Sequence, residues 1–154
     1  MTVDAVPKGY HTITPHMTVR DAARAIEFYK QAFGAVEKGV SKGPDGKIMH
    51  AELRIGDSVF MLADEYPQFG SLSPQSTGGA GMGLHIYIED VDSAFDRAVK
   101  AGATVEMPVA DMFWGDRYGR LTDPFGHKWS IGTHKRDVPM EEMEEAMKQL
   151  PKSA

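Results

Sequence analysis

The chain of 154 residues contains no cysteine. That removes disulfides, thiolate metal sites and cysteine nucleophiles at once. It also lacks a concentrated basic face: Lys and Arg are scattered, no run exceeds Lys135-Arg136, and the net charge is −5. A binder of phosphate backbones needs such a face, so nucleic acid is not expected as a partner. No apolar run approaches the ~20 residues of a membrane span. The opening "MTVDAVPKGYHTITP" has no apolar segment behind a basic end, so no signal peptide is expected and a cytoplasmic location fits. There is no P-loop, no GxGxxG after a strand, no GxSxG elbow and no HExxH. Neighbouring carboxylates (Asp64-Glu65, Glu141-Glu142, Glu144-Glu145) fall in loops or on a terminal helix and read as solvated charge.

What is present is a balanced composition, 42% hydrophobic and 25% charged, suited to one domain or two small modules around a shared core. An internal repeat organises it. "MTVRDAARAIEFYKQAFGAVE" overlays "IYIEDVDSAFDRAVKAGATVE", which sets Asp21 on Asp90 and Gly34-Ala35 on Gly102-Ala103. In each copy a strand (about Thr12 to Val19; about Met82 to Glu89) meets an Asp able to cap a helix. The first helix carries Ala22, Ile26, Tyr29 and Phe33 at helical spacing and ends at Gly34. The second carries Val91, Phe95 and Ala98 and ends at Gly102.

Three strands follow in each half: about Val36 to Lys42, Ile48 to Ile55 and Ser58 to Ala63, then about Thr104 to Met107, Gly119 to Thr122 and Lys128 to Thr133. "GPDG", "GD" and "DPFG" supply turns. The repeats therefore span about 12–64 and 82–134, with a Gly, Ser and Pro-rich linker at 65–81. A terminal helix over about 138–150 spaces Met140, Met143, Met147 and Leu150 along one side. The expected class is α+β, two tandem βαβββ modules whose sheets bury one face under the helices and curl the other into a cup.

This order, with "AIEFYKQAFGA", "EDVDSAFDRAVKAGATV" and "DPFGHKWSI", resembles the vicinal oxygen chelate superfamily: glyoxalase I, the bleomycin and fosfomycin resistance proteins and the extradiol dioxygenases. The resemblance covers roughly Thr12 to His134, and "GDRYGRLTDPFGHKWSIGTHK" looks most like a single-domain glyoxalase-like branch. It implies a homodimer, because that family commonly completes its cavities by pairing or exchanging modules. It also implies metal-ligand positions on the first and last strand of each repeat. Counted from the helix-opening Asp and the turn glycine, these fall on Thr14, Gly83, Phe60 and Ser130. None is a credible ligand, since glycine and phenylalanine offer no donor atom and a neutral hydroxyl is weak. No metal and no other cofactor is expected there.

Strand alternation gives the polar face directly. His16 and His85 lie one repeat apart, each two residues beyond a vacant ligand position, and are expected in one shared cup. His50, Glu52 and Arg54 share the polar face of the third strand, Tyr87 sits beside His85, and Ser130 comes from the last strand. Met17, Val19, Met49, Ala51, Leu53, Leu84, Ile86, Trp129 and Ile131 are expected under the helices. Trp114, Arg117 and Tyr118 in "FWGDRYG" suit an aromatic and guanidinium lip. Alternatively, Asp116 pairs with Arg117 to pin the loop while Trp114 fills core. "HAE" matches the H-x-E of zinc deaminases, but that motif requires a downstream Cys pair.

Three functions remain open. One is metal-independent binding of a small organic molecule, at His16, His50, Glu52, Arg54, His85, Tyr87, Trp114, Arg117 and Ser130. Another is a metal-dependent lyase, isomerase or transferase with a shifted site at His16, His50, Glu52 and His85. The third is a metal-free enzyme whose His–Glu pair does acid–base work.

Overall fold

The structure is a computed structural model that describes residues 2–152. Alternating burial along the chain resolves into eight strands and four helices among these residues. The first module comprises β1 (His16–Val19), α1 (Ala22–Phe33), β2 (Val36–Lys42), β3 (Ile48–Ile55) and β4 (Ser58–Asp64). The linker folds into a 3-10 turn (Pro67–Phe69) and a short helix, α2 (Pro74–Thr77). The second module comprises β5 (Gly83–Tyr87), α3 (Val91–Lys100), β6 (Thr104–Asp111), β7 (Asp116–Thr122) and β8 (Lys128–His134), followed by α4 (Met140–Lys148).

Each module makes one four-stranded mixed sheet, in the orders β1-β4-β3-β2 and β5-β8-β7-β6. The first and fourth strands of a module run parallel, which requires a crossover, and α1 and α3 supply it. Both helices start on an aspartate: Asp21 accepts from the Arg24 N–H at 3.1 Å and Asp90 from the Ser93 N–H at 3.0 Å. At Gly34 the chain turns left-handed, φ 66°, to close α1. Asp90→Ala leaves one helix-end N–H without its cap and is expected to cost about 1 kcal/mol, read by urea unfolding.

Helices α1 and α3 pack on each other, so the modules share one core. Its centre is aromatic. Tyr29 and Phe33 of α1 meet Trp129 of β8 at ring-centroid distances of 5.4 and 4.7 Å, and Phe60 of β4 packs edge-on to Tyr29. Buried Asp123 sits at the same junction. Its Oδ2 accepts from the Tyr29 hydroxyl (2.5 Å) and Trp129 Nε1 (2.9 Å), and its Oδ1 from the Phe125 and His127 N–H groups. That second pair holds the "DPFG" turn.

Several boundaries differ from expectation for identifiable reasons. β1 begins at His16, because Pro15 has no N–H to offer a ladder; its carbonyl accepts from Met61 N–H. β6 and β7 are longer than expected, extending to a tight turn at residues 112–115. Met49 is half exposed and Ile48 is buried in its place. A register shift between Ser41 and Lys42, with the Ile48 N–H held by buried Asp64, moves the inward position by one. Met17, Val19, Ala51, Leu53, Trp129 and Ile131 are buried as expected, while Leu84 and Ile86 are only half-buried because β5 is a sheet edge. No helix among the described residues is long and apolar enough to cross a membrane.

Candidate functional site

Register decides which side chains share a face. In the first sheet His16 lies opposite Met61, and Met61 opposite Glu52, so these three project together away from the helices. His50, two residues before Glu52, shares that face; its Nε2 is 3.2 Å from Glu52 Oε1, and its ring centroid is 6.2 Å from that of His16. Residues ahead of β1 then cross the same face. The Tyr10 hydroxyl donates a short hydrogen bond to Glu52 Oε2, and Lys38 Nζ lies 5.1 Å from the Tyr10 ring centroid. The hydrogen bonds from Tyr10 and then His50 hold the Glu52 carboxyl below its ordinary range, and the same carboxylate pushes the Tyr10 phenol up. Partial desolvation, with the nearby His50, lowers the His16 pKa.

The second face is richer. His85 lies opposite Ser130 and Ser130 opposite Arg120; Tyr87 lies opposite Gly132 and Gly132 opposite Tyr118; His134 lies opposite Asp116. His85 Nδ1 is 2.7 Å from Ser130 Oγ, and its ring stacks on Tyr118 and meets Tyr87 edge-on. A Cβ at position 132 would lie 3.3 Å from the His85 ring, so Gly132 leaves that ring its seat. Burial lowers the His85 pKa.

At the end of this face three ring systems converge on one carboxylate. Asp116 is 5% exposed. Its Oδ1 is 2.7 Å from His134 Nδ1, and its Oδ2 accepts from Trp114 Nε1 (3.2 Å) and the Tyr87 hydroxyl (3.3 Å). On its other side, His134 Nε2 is 2.9 Å from Asp137 Oδ1. Hydrogen bonding to Asp116 first, and then to Asp137, raises the His134 pKa; the negative charge of Asp116 pushes the Tyr87 phenol up.

The residues singled out from sequence thus fall into two groups. His16, His50 and Glu52 come together on the first face, and His85, Tyr87, Trp114 and Ser130 on the second. Arg54, on the same side of β3 as Glu52, is exposed and spends its guanidinium on the Gly56 carbonyl at 2.8 Å. Arg117 points to the helix side, gripping Asp92 of α3 through two bonds of 2.6 and 2.8 Å and Asp111 at 3.2 Å. It is therefore not paired with Asp116. The expected meeting of His16 and His85 is not made by direct contact within the chain. The two sheets are separate, and among the described residues no hydrogen bond, ion pair or ring contact joins His85 to His16, His50 or Glu52. His134 and Tyr10 were not singled out from sequence, and Asp116 was weighed there only as a partner for Arg117.

The donor set can be tested against the metal that the resemblance implies. Met61 sits opposite His16 as Ser130 sits opposite His85, so register, rather than the count from Gly56, makes Met61 the counterpart of Ser130. Phe60 faces the core. The set is then Thr14, Gly83, Met61 and Ser130, a weak hydroxyl pair, a thioether and no side chain at all. It does not fit a divalent ion bound by nitrogen and carboxylate donors. Nor is any group of three or more His, Asp or Glu arranged to hold a metal among the described residues.

Paired βαβββ modules with concave polar faces define a glyoxalase-type fold. Residues 10–131 match the family model "Glyoxalase/Bleomycin resistance protein/Dioxygenase superfamily", and the chain belongs to that superfamily. It is 50% identical over 138 residues to the uncharacterized protein Mb0911c of Mycobacterium bovis, covering 88% of this chain and 91% of that one. The X-ray structure of the Arabidopsis thaliana At5g48480 gene product superposes with a TM-score of 0.64 at 29% identity, over 79% of this chain and 98% of that one. The fosfomycin resistance protein FosX of Mesorhizobium loti shares the fold, TM-score 0.61, at 17% identity over 87% and 97% of the two chains.

Proposed function

We propose that the protein is a metal-independent binder of a small organic molecule, acting as a cytoplasmic homodimer. The observation that carries this reading is the exchange of chemistry on the concave faces. The positions the superfamily uses for metal hold Thr14, Gly83, Met61 and Ser130, whereas the neighbouring positions hold His85, Tyr87, Trp114 and the buried Asp116. Rings anchored through their polar edges leave their faces to pack on a ligand.

A second copy of the chain suits the exposed edge of β5. A groove of ≈ 730 Å³ runs along it, lined in part by Ile13, Phe33, Ile55, Leu84, Ile86 and Trp129. Ile13, which lines this groove, is 85% exposed, an apolar surface that a second copy would cover. The close His50–Glu52 pair favours one alternative, a metal-free acid–base enzyme.

The test is metal content per chain on untagged protein offered Zn²⁺, Ni²⁺, Mn²⁺ and Fe²⁺, followed by a ligand screen by thermal shift. Background metal and a saturable, ligand-dependent rise in Tm are expected. Near-stoichiometric metal that is lost in a His16→Ala/His85→Ala double mutant would overturn the proposal. Chelator-resistant turnover lost in Glu52→Gln would favour the enzyme instead.

A further inference from the structure

Both ring nitrogens of His134 face carboxylates, the inner one buried and the outer one fully exposed. Asp116 fixes Nδ1 from a buried position, and two of its other donors are the aromatic rings of Trp114 and Tyr87. Nε2 is met by Asp137, whose side chain is fully exposed and makes no other hydrogen bond or ion pair among the described residues. Asp137 reaches that place because Gly115 fastens the segment after β8 that carries it. The Gly115 carbonyl accepts from both the Lys135 and Arg136 N–H groups, at 2.9 and 3.1 Å.

We infer that His134 Nε2 is the anchor for the carboxylate of an aromatic acid, a site the chain fills with its own Asp137 when no ligand is present. The ligand's carboxylate takes over the contact that Asp137 makes, so the outer nitrogen of His134 keeps an acceptor throughout the exchange. The chain's own group brings no apolar surface. An aromatic acid adds the packing of its ring against Trp114 and Tyr118, whose rings already meet edge-on at 5.2 Å, and against Tyr87. An aromatic acid therefore outcompetes Asp137, while a small aliphatic acid gains little. The inference rests on the small-molecule reading above and names its ligand class.

The charged groups around His134 are few, so the pH dependence has a definite sign. Asp116 faces it from β7 and Asp137 from the segment after β8; Tyr87 of β5 reaches it only through Asp116. Of the cations next along the chain, Lys135 acts on Asp92 and Arg136 is paired with Glu142 of α4. His85 lies on the same face, and burial lowers its pKa. Binding of a carboxylate is then strongest where His134 is protonated and falls as pH rises through its raised pKa.

The experiment is a titration with 1-naphthoate, ionised throughout, followed by Trp114 fluorescence; Trp129, at 3% exposed, supplies a constant background. Wild type, His134→Gln and Asp137→Ala are compared at about pH 6 and about pH 9, with neutral 2-naphthalenemethanol as control. Expected are saturable quenching at the lower pH, affinity weaker by about tenfold at the higher pH and in His134→Gln, and affinity tighter by about threefold in Asp137→Ala. The neutral control shows no pH dependence. Unchanged or weaker binding in Asp137→Ala, a replacement on an exposed side chain that leaves the fold intact, overturns the inference even if His134→Gln misfolds. So does pH-independent affinity, or no saturable quenching at all. The small-molecule reading is decided separately, by metal content and the thermal-shift screen on wild type.

Discussion

Asp123→Ala is expected to lower the unfolding free energy by about 3–5 kcal/mol, the largest loss from any single side chain outside the apolar core. The carboxylate is 3% exposed and accepts four hydrogen bonds, two from buried rings and two from the backbone of its own turn. Truncation leaves the Tyr29 hydroxyl and the Trp129 N–H without partners in a place water does not reach. Each orphaned group costs about 1–3 kcal/mol. Because Tyr29 belongs to α1 and Asp123 to the β7–β8 turn, the loss also uncouples the two modules at the point where their core is shared. Against a total of about 5–15 kcal/mol the variant stands near the limit of folding. Urea unfolding checks it, with Tyr29→Phe as companion; that change removes one donor and is expected to cost about 1–2 kcal/mol. Equal effects from the two would mean that the bond between modules, not the turn, is what Asp123 chiefly maintains.

Gly115→Ala is expected to be almost as damaging, about 3 kcal/mol or more, for a backbone reason. Gly115 has φ +99°, and a Cβ there would stand 2.1 Å from the Arg136 carbonyl oxygen and 3.0 Å from Val138 Cγ2. Neither obstacle is the free end of a flexible side chain. The segment that carries Lys135, Arg136 and Asp137 must move away, and His134 loses the carboxylate on its outer nitrogen. That loss has its own signature. A His whose folded pKa is raised contributes stability below its unfolded pKa near 6.5, and the contribution is lost as pH rises through the folded pKa. The destabilisation in Gly115→Ala should therefore be larger in mild acid than in mild alkali. An imidazole titration followed by NMR should find the His134 pKa moved back towards the ordinary value. Asp116 is still in place, so part of the elevation stays.

Most of the fold is readable from local chemistry. Asp21 and Asp90 cap, Gly34 stops a helix, and strand periodicity separates His16, Glu52 and His85 from Met17, Leu53 and Leu84. The misassigned positions depend on events periodicity cannot encode, such as the register shift that buries Ile48 in place of Met49. The site was half legible. Polar-face residues follow from alternation, but the partner of Asp116 does not, because its neighbour Arg117 offers a charge one residue away and the true partner is eighteen positions further on. A signal existed: counting outward in equal steps from the "DPFG" turn pairs Thr122 with Lys128 and, without a bulge, Asp116 with His134. The same count puts Arg117 opposite Thr133, on the helix side, where the hydroxyl caps α3 and the guanidinium finds Asp92. The relation between the two modules has no such local code, since it is set by aromatic packing of α1 against β8.

The hydrogen bond from Tyr10 to Glu52 has a consequence for symmetry. A chain built by doubling one module would be expected to present two equal surfaces. Here the segment before β1 is laid across the first, whereas the chain leaves the second open between His85 and Trp114. The two halves have kept the same skeleton but not the same surroundings, since the first face is partly covered by the segment before β1. On the proposed reading the expected stoichiometry is one ligand per chain rather than two.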